Sequence, residues 1–218
     1  MIIDCIADLH GFYPKLEGGD LLIVAGDLTA RDTGSEHLKF IEWLCEQKYR
    51  KKVFILGNHD NYTSFNEPIE DNRGFSYLCD SCTEFEGLKI WGSPWTKTFE
   101  GMNSKCKAFT VDTDEELAEK YKLIPNDTEI LITHGPAIGM LDRTIENRHV
   151  GSVNLSAQLG FLNNLKLHIF GHIHESYGRI DPPAYLPNFF DISKHYCVNA
   201  SHVNENYEPV NAPIRIIL

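Results

Sequence analysis

The chain has 218 residues, of which 42% are hydrophobic and 23% charged, a composition typical of a folded protein with a substantial core. Its formal net charge of -11 argues against a general nucleic-acid-binding surface, because such surfaces are usually basic. A small phosphorylated substrate is compatible with this charge, since bound cations reverse the potential locally. We expect one domain over residues 1–218, and the sequence does not indicate an oligomeric state.

The N-terminal residues and the cysteines bear on the cellular compartment of the protein. Residues 1–7 run directly into the first motif, without the basic start and apolar stretch of an export signal. No apolar run is long enough to span a membrane, so we expect a cytoplasmic protein with no membrane partner. The six cysteines are then expected to be reduced. Cys79 and Cys82 have the spacing of a zinc pair, but no second pair follows at a matching distance.

Apolar runs and helical patterns alternate along the chain. The runs predict strands at residues 2–7, 21–25, 53–56, 88–91, 129–133, 167–170, 196–199 and 214–218. Helical spacing predicts helices around residues 38–44, over 112–121 and over 152–165. For the second helix, Asp112 is the predicted cap and Glu115 its capping partner. This order predicts an α/β fold with sheets and helices in layers.

Polar residues that can bind metal follow five of these strands. The segments are Asp8-Leu9-His10, Gly26-Asp27, Gly57-Asn58-His59-Asp60, His134 and Gly171-His172-Ile173-His174. Each segment alone is compatible with an ordinary turn, since Gly, Asn and Asp are common turn residues. Strand ends converge on one edge of a sheet in layered folds, so residues far apart in sequence can share one site.

The residue types at this edge suit a pair of divalent cations. Asp and Asn oxygens mixed with imidazole nitrogens favour Mn, Fe, Co or Zn over Ca. Two such ions need one bridging carboxylate, and Asp27 is the natural bridge because Gly26 lets the backbone turn tightly there. A water held between the ions would ionise near neutral pH and attack phosphorus in line. His59 would stabilise charge or protonate the leaving oxygen, and Asp60 would orient its imidazole.

Further cationic side chains lie near the five segments. Arg31 follows the second segment, and Arg143, Arg148 and His149 lie between His134 and the third predicted helix. Each is a candidate contact for a phosphate oxygen. A solvated surface charge is an equally good interpretation of each.

Together, in this order, the five segments resemble the motifs of the calcineurin-like metallophosphoesterase superfamily. The resemblance implies a sandwich of two mixed β-sheets flanked by helices. It also implies one metal on Asp8, His10, Asp27 and His174, and a second on Asp27, Asn58, His134 and His172. His59 would be the catalytic imidazole, paired with Asp60. The cofactors implied are two divalent ions, Mn in preference to Fe, Zn or Co.

One branch of this superfamily, the metallophosphoesterase domain-containing proteins, resembles the chain more closely. The matching stretches are Gly92-Ser93-Pro94-Trp95, Thr133-His134-Gly135-Pro136, Leu141-Asp142, Phe170-Gly171-His172-Ile173-His174-Glu175 and the tail Asn199-Ala200-Ser201 with Asn206-Tyr207-Glu208-Pro209-Val210-Asn211. Some members carry glycine at the position of His172, whereas this chain keeps the histidine and thus both metal positions. Residues 138–149 depart from the branch, and we expect this segment to choose the substrate.

The resemblance implies a metal-dependent phosphodiesterase acting on cyclic nucleotides or similar small phosphodiesters. A phosphomonoesterase, a protein phosphatase or a nuclease with the same site is the alternative, and a non-catalytic scaffold of the same fold is another. The longer signatures of protein Ser/Thr phosphatases are not matched, because Ala30 and Leu56 stand where those signatures have aspartate and arginine.

Overall fold

The computed structural model describes residues 1–61, 69–71, 74–185 and 192–218. In chain order these residues form strands β1 (Ile2–Ile6), β2 (Gly19–Ala25), β3 (Tyr49–Ile55), β4 (Ile69–Asp71), β5 (Phe75–Tyr77), β6 (Ser81–Phe85), β7 (Leu88–Ser93), β8 (Thr96–Lys97), β9 (Thr110–Val111), β10 (Ile130–Thr133), β11 (Leu167–Phe170), β12 (Gly178–Ile180), β13 (Ala184–Tyr185), β14 (Ile192–Ser193), β15 (Tyr196–Asn199) and β16 (Ile214–Ile217). The helices are α1 (Gly34–Glu46), α2 (Asp114–Tyr121) and α3 (Val153–Leu159).

Two six-stranded mixed sheets build the fold. The first has the order β16-β1-β2-β3-β5-β4 and the second β12-β15-β11-β10-β7-β6. In both, the four central strands are parallel and the two edge strands antiparallel. Strands β8 with β9 and β13 with β14 form two small additional sheets. The parallel strands of each large sheet therefore end at the same edge.

The two large sheets face each other across an apolar core. Alternate residues of the first sheet, such as Ile3 and Ile23, pack in one cluster with Ile132 and Ile169 of the second. The outer face of the first sheet is apolar as well, because Leu22 and its neighbours pack against α1. Burying one such aliphatic side chain contributes roughly 1.5–3 kcal/mol. Strands covered on both sides read as continuous apolar runs, which is why they are visible in the sequence.

Helices cover the outer faces of the sandwich. α1 packs Phe40, Trp43 and Leu44 against the first sheet. On the second sheet, α2 and α3 contribute Leu117 and Leu155 to a cluster. The predicted sandwich of two mixed sheets flanked by helices is thus confirmed. No helix within the described ranges is both long and apolar enough to cross a membrane.

The bounds of two helices differ from the prediction. α2 is capped by Thr113, whose side chain accepts a hydrogen bond from the Glu116 amide, while the Glu116 carboxylate accepts one from the Thr113 amide. The predicted cap at Asp112 was therefore wrong. α3 ends at Leu159 rather than continuing to residue 165. Gly160 is its C-cap, and the chain then continues in single turns such as Leu165 N–H to Leu162 O. The leucines beyond Gly160 are buried by these turns, which mimic helical spacing.

Candidate metal centre

The predicted site residues meet where the strands end. Asp8 follows β1, Asp27 follows β2, His134 follows β10, and His172 follows β11. Asp8, Asp27 and His172, together with His10, have φ values between 43° and 70°. This left-handed region is uncommon for residues other than glycine, although Asp and His are enriched in it. Such strain is typical of positions where a side chain must be presented at a functional site.

A first group of side chains gathers around Asp8. His174 Nε2 lies 3.7 Å from Asp8 Oδ1 and 3.4 Å from His10 Nε2. One ligand atom from each of the three residues lies within 4.8 Å of the others, the spacing of a candidate metal site. Asp8 and His10 share the loop after β1, and His174 comes from the turn after β11.

A second group gathers around His134. His134 Nε2 lies 3.0 Å from Asn58 Oδ1 and 3.3 Å from Asp27 Oδ1. The His172 ring packs edge-on against the His134 ring, with centroids 5.0 Å apart. These four residues combine one carboxylate, one amide oxygen and two imidazoles.

Asp27 lies between the two groups. Its Oδ1 faces His134, whereas its Oδ2 is 3.7 Å from His10 Nε2. The carboxylate is 2% exposed, so neither oxygen is freely solvated. Each oxygen therefore faces a different group, which is the arrangement a bridging carboxylate requires.

The donor set fits a metal ion. Within the described parts of the chain, Asp8 Oδ1 is buried without a hydrogen-bond partner. A buried acceptor without a partner costs about 1–3 kcal/mol, which a coordinated cation removes. The cradle is also tight, since a Cβ at Gly171 would lie 2.1 Å from Asp8 Oδ2 and one at Gly57 would lie 2.3 Å from Asp27 Oδ1.

The outer atoms of the site residues are held by hydrogen bonds. His134 Nδ1 donates to the Ala25 carbonyl at 3.0 Å, and His174 Nδ1 donates to the Asn204 carbonyl at 3.2 Å. Such bonds fix each ring with Nε2 turned toward the centre. Asp8 Oδ2 accepts from the Ser201 hydroxyl and from the His172 amide. The sequence analysis missed Ser201 and Asn204, although Ser201 also follows a strand, β15.

His59 lies at the rim of the centre. Its Nε2 is 4.0 Å from Asp27 Oδ2, and its side chain is 14% exposed. Its ring packs against His10 with centroids 4.6 Å apart. On the other side, Nδ1 lies 3.6 Å from the Cys106 thiol sulfur, a neighbour that the sequence analysis did not predict. The imidazole thus has one nitrogen toward the cluster and the other toward the loop that carries Cys106.

The predicted pairing of Asp60 with the His59 imidazole is corrected by the contacts of Asp60. Its Oδ2 accepts from the amides of Leu28 and Gly57, each at 3.0 Å. Its Oδ1 accepts from the Thr29 amide at 3.1 Å and the Thr29 hydroxyl at 3.0 Å. Both oxygens are fully used, so Asp60 joins the two turns that carry Asp27 and Asn58. Burial and the nearby Asp27 raise the pKa of Asp60 to about 7.

Asp60→Asn is expected to destabilise the protein by about 2–3 kcal/mol, because the amide nitrogen must face at least one backbone N–H that now bonds to a carboxylate oxygen. Denaturant unfolding of the metal-free protein measures the change. Asp127→Asn is the matched control, since the Asp127 carboxylate is 65% exposed beside Lys89 and such pairs contribute little. Equal stability of both variants would contradict the structural role of Asp60.

The four predicted substrate contacts do not join the cluster. Arg31, Arg143 and Arg148 are exposed, and the last two pair with Asn147 and Glu146 of their own loop. His149 Nδ1 lies 2.6 Å from the buried Asp142 carboxylate. Their roles in binding stay predictions.

The segment expected to choose the substrate packs beside the centre. Arg143 N–H donates to Ser176 Oγ at 2.9 Å, and Ile145 N–H donates to Glu175 Oε1 at 3.1 Å. The acceptors directly follow His174. The segment therefore borders the turn that carries two site histidines.

A sequence profile for calcineurin-like phosphoesterase matches residues 1–176, which include all of the site residues predicted as metal ligands. The chain belongs to this family, and it is a metal-dependent phosphoesterase with clusters of candidate metal ligands.

Particular relatives agree with this assignment. The chain is 35% identical to human metallophosphoesterase domain-containing protein 1, over 98% of this chain and 70% of the relative. It is 31% identical to the UPF0046 protein T07D4.2 of Caenorhabditis elegans, over 96% of this chain and 58% of that protein. Among solved structures, TT1561 of Thermus thermophilus aligns with a TM-score of 0.55 at 12% identity, covering 91% of this chain and 88% of its own. The last likeness shows the fold alone.

Proposed function

We propose that the protein is a phosphodiesterase that hydrolyses cyclic nucleotides or similar small phosphodiesters with two divalent cations. Asp8, His10, Asp27 and His174 would hold one cation, and Asp27, Asn58, His134 and His172 the other. The observation that carries the proposal is the position of Asp27, whose two oxygens face two different groups of donors. Two bound cations supply a nucleophile at neutral pH and stabilise charge on the phosphoryl oxygens.

His59 is the proposed general acid. Its Nε2 faces the cluster, and the ring is close to the centre without lying deep in it. In this position it can donate a proton to the oxygen that leaves phosphorus. The His59 amide donates to Asp27 Oδ1 at 2.9 Å, which fixes the backbone of the acid relative to the bridging carboxylate.

The charge around the centre favours a phosphodiester over a phosphomonoester. In the described parts of the chain, the ion pairs of Asp8 and Asp27 are formed with histidines and not with Lys or Arg. A diester carries one negative charge on its phosphate, whereas a monoester dianion is usually clamped by added cationic side chains. The net charge of -11 also favours the less charged substrate.

A phosphoester panel tests the proposal. The metal-free protein is loaded separately with Mn, Fe, Zn or Mg and assayed with bis(p-nitrophenyl) phosphate, p-nitrophenyl phosphate, cyclic nucleotides and single-stranded DNA. We expect hydrolysis of the diesters to exceed that of the monoester, with Mn the best metal. Faster monoester hydrolysis would indicate a phosphomonoesterase, and cleavage of DNA alone a nuclease.

Elemental analysis separates an enzyme from a scaffold. We expect up to two metal ions per chain after loading, as the two donor groups indicate. A protein that binds no metal after careful preparation would support the scaffold alternative.

A further inference from the structure

Tyr207 stands over the histidines of the metal centre. Its ring centroid lies 4.9 Å from that of His10, 5.2 Å from that of His174 and 6.2 Å from that of His59. The side chain is nevertheless 49% exposed. One part of the ring thus covers imidazoles that belong to the site, and the rest faces solvent at the rim beside His59.

The backbone of Tyr207 is strained. Its φ of 59° is in the left-handed region, where a bulky residue is a genuine outlier. An exposed aromatic residue in such a conformation gains little from the core, so folding alone does not explain it. Strain of this kind is concentrated where side chains are presented to ligands.

A network centred on Asn204 imposes this conformation. The Asn204 carbonyl accepts from the Tyr207 amide at 2.9 Å, and the Asn204 side chain accepts from the amides of Asn206 at 3.0 Å and Glu208 at 2.9 Å. The same Asn204 carbonyl accepts from His174 Nδ1 at 3.2 Å. The position of Tyr207 is therefore fixed relative to a histidine of the centre.

We propose that Tyr207 is a specificity-determining residue whose ring forms the wall against which a nucleobase or other planar aromatic group of the substrate packs. The inference rests on the proposed phosphodiesterase function and names the class of diester that the site prefers. The phosphate would lie among the Asp and His side chains, whereas the Tyr207 ring lies on the solvent side of the histidines. An aromatic ring face can stack on any nucleobase, because every base has a π-face.

Two diesters with the same leaving group test the proposal. Thymidine 5′-(p-nitrophenyl phosphate) carries a base, and methyl p-nitrophenyl phosphate does not, yet both are monoanions and both release p-nitrophenol. Tyr207→Asn removes the ring with a residue that tolerates positive φ. We expect it to lower kcat/KM for the thymidine ester about tenfold, the range of one aromatic stacking contact, and to change that for the methyl ester less than about twofold. Tyr207→Phe should resemble the wild type with both.

Control measurements separate this role from a general disturbance of the tail. Val210→Ala, at a residue 61% exposed in the same tail, should change neither ester. The metal content of Tyr207→Asn should equal that of the wild type. Equal losses on both esters, or no loss on either, would overturn the proposal. Equal losses in Tyr207→Phe and Tyr207→Asn would assign the effect to the hydroxyl and overturn it as well.

Binding measurements test the role of Tyr207 separately from the proposed phosphodiesterase activity, because they do not depend on turnover. Calorimetric titration measures the binding of thymidine 5′-monophosphate and of methyl phosphate to the metal-loaded protein. We expect Tyr207→Asn to weaken the binding of thymidine 5′-monophosphate and to leave the binding of methyl phosphate unchanged. If the wild type cleaves neither diester, the phosphodiesterase proposal fails, and these titrations still decide whether Tyr207 binds a base. Unchanged nucleotide binding would refute the role of Tyr207.

Discussion

Asp27→Ala should lower phosphoester hydrolysis by at least about a thousandfold, since loss of a bridging carboxylate removes several kcal/mol of charge stabilisation in the transition state. The variant should also bind less metal, because both donor groups lose the carboxylate they share. Turnover of bis(p-nitrophenyl) phosphate and elemental analysis of the same preparation measure the two effects.

Asp127→Ala provides the matched control for this experiment. It also removes a carboxylate, but one that is 65% exposed and paired with Lys89 on the surface. We expect no change in metal content and a change in stability below about 1 kcal/mol. Activity of Asp27→Ala equal to that of the wild type would refute the two-metal mechanism.

His59→Ala is expected to keep its metal and to lose about a hundredfold to ten-thousandfold in turnover, the usual contribution of a positioned general acid. The loss should be larger for cyclic nucleotides, whose leaving alkoxide needs a proton, than for p-nitrophenyl esters, whose leaving phenolate needs it less. Rates with both substrates and the metal content of the variant provide the comparison.

The position of His59 also allows the alternative that it is a metal ligand. His59, His10 and Asp27 can bring one ligand atom each within 4.8 Å of the others, which is close enough to share an ion. If His59→Ala loses metal to the same extent as Asp27→Ala, His59 is a ligand and not the acid. Equal losses of turnover with cyclic nucleotides and with p-nitrophenyl esters would contradict the role of His59 as the acid.

Much of this centre was predictable because strand ends are local signals. Apolar runs covered on both faces are visible in the sequence, and the Asp, Asn and His residues follow them directly. The strands over Leu167–Phe170 and Tyr196–Asn199 were predicted with their observed bounds. The parallel strands place Asp8 at the edge of the first sheet and His134 at the edge of the second, and the two residues meet in one candidate metal site.

What could not be predicted depends on contacts between distant loops. Asp60 is next to His59 in sequence, but Leu28 and Thr29 offer it amides that no local pattern reveals. Cys106 and Tyr207 reach His59 from loops whose path is set by tertiary structure. The short edge strands, such as Ile69–Asp71, have too few residues for an alternating pattern.

The pairing of β1 with β16 has a consequence for how the protein is made. Ile2–Ile6 pairs with Ile214–Ile217, and Asp8 receives its hydrogen bond from Ser201. A ribosome delivers the first segment long before the last, so the edge of β1 is open on the nascent chain until residues 214–217 emerge. Asp8, His10 and Asp27 are synthesised at the start of that interval, whereas His174 and Ser201 follow only late in it. The donor group of Asp8, His10 and His174 is therefore complete only after the segment that carries His174 has left the exit tunnel.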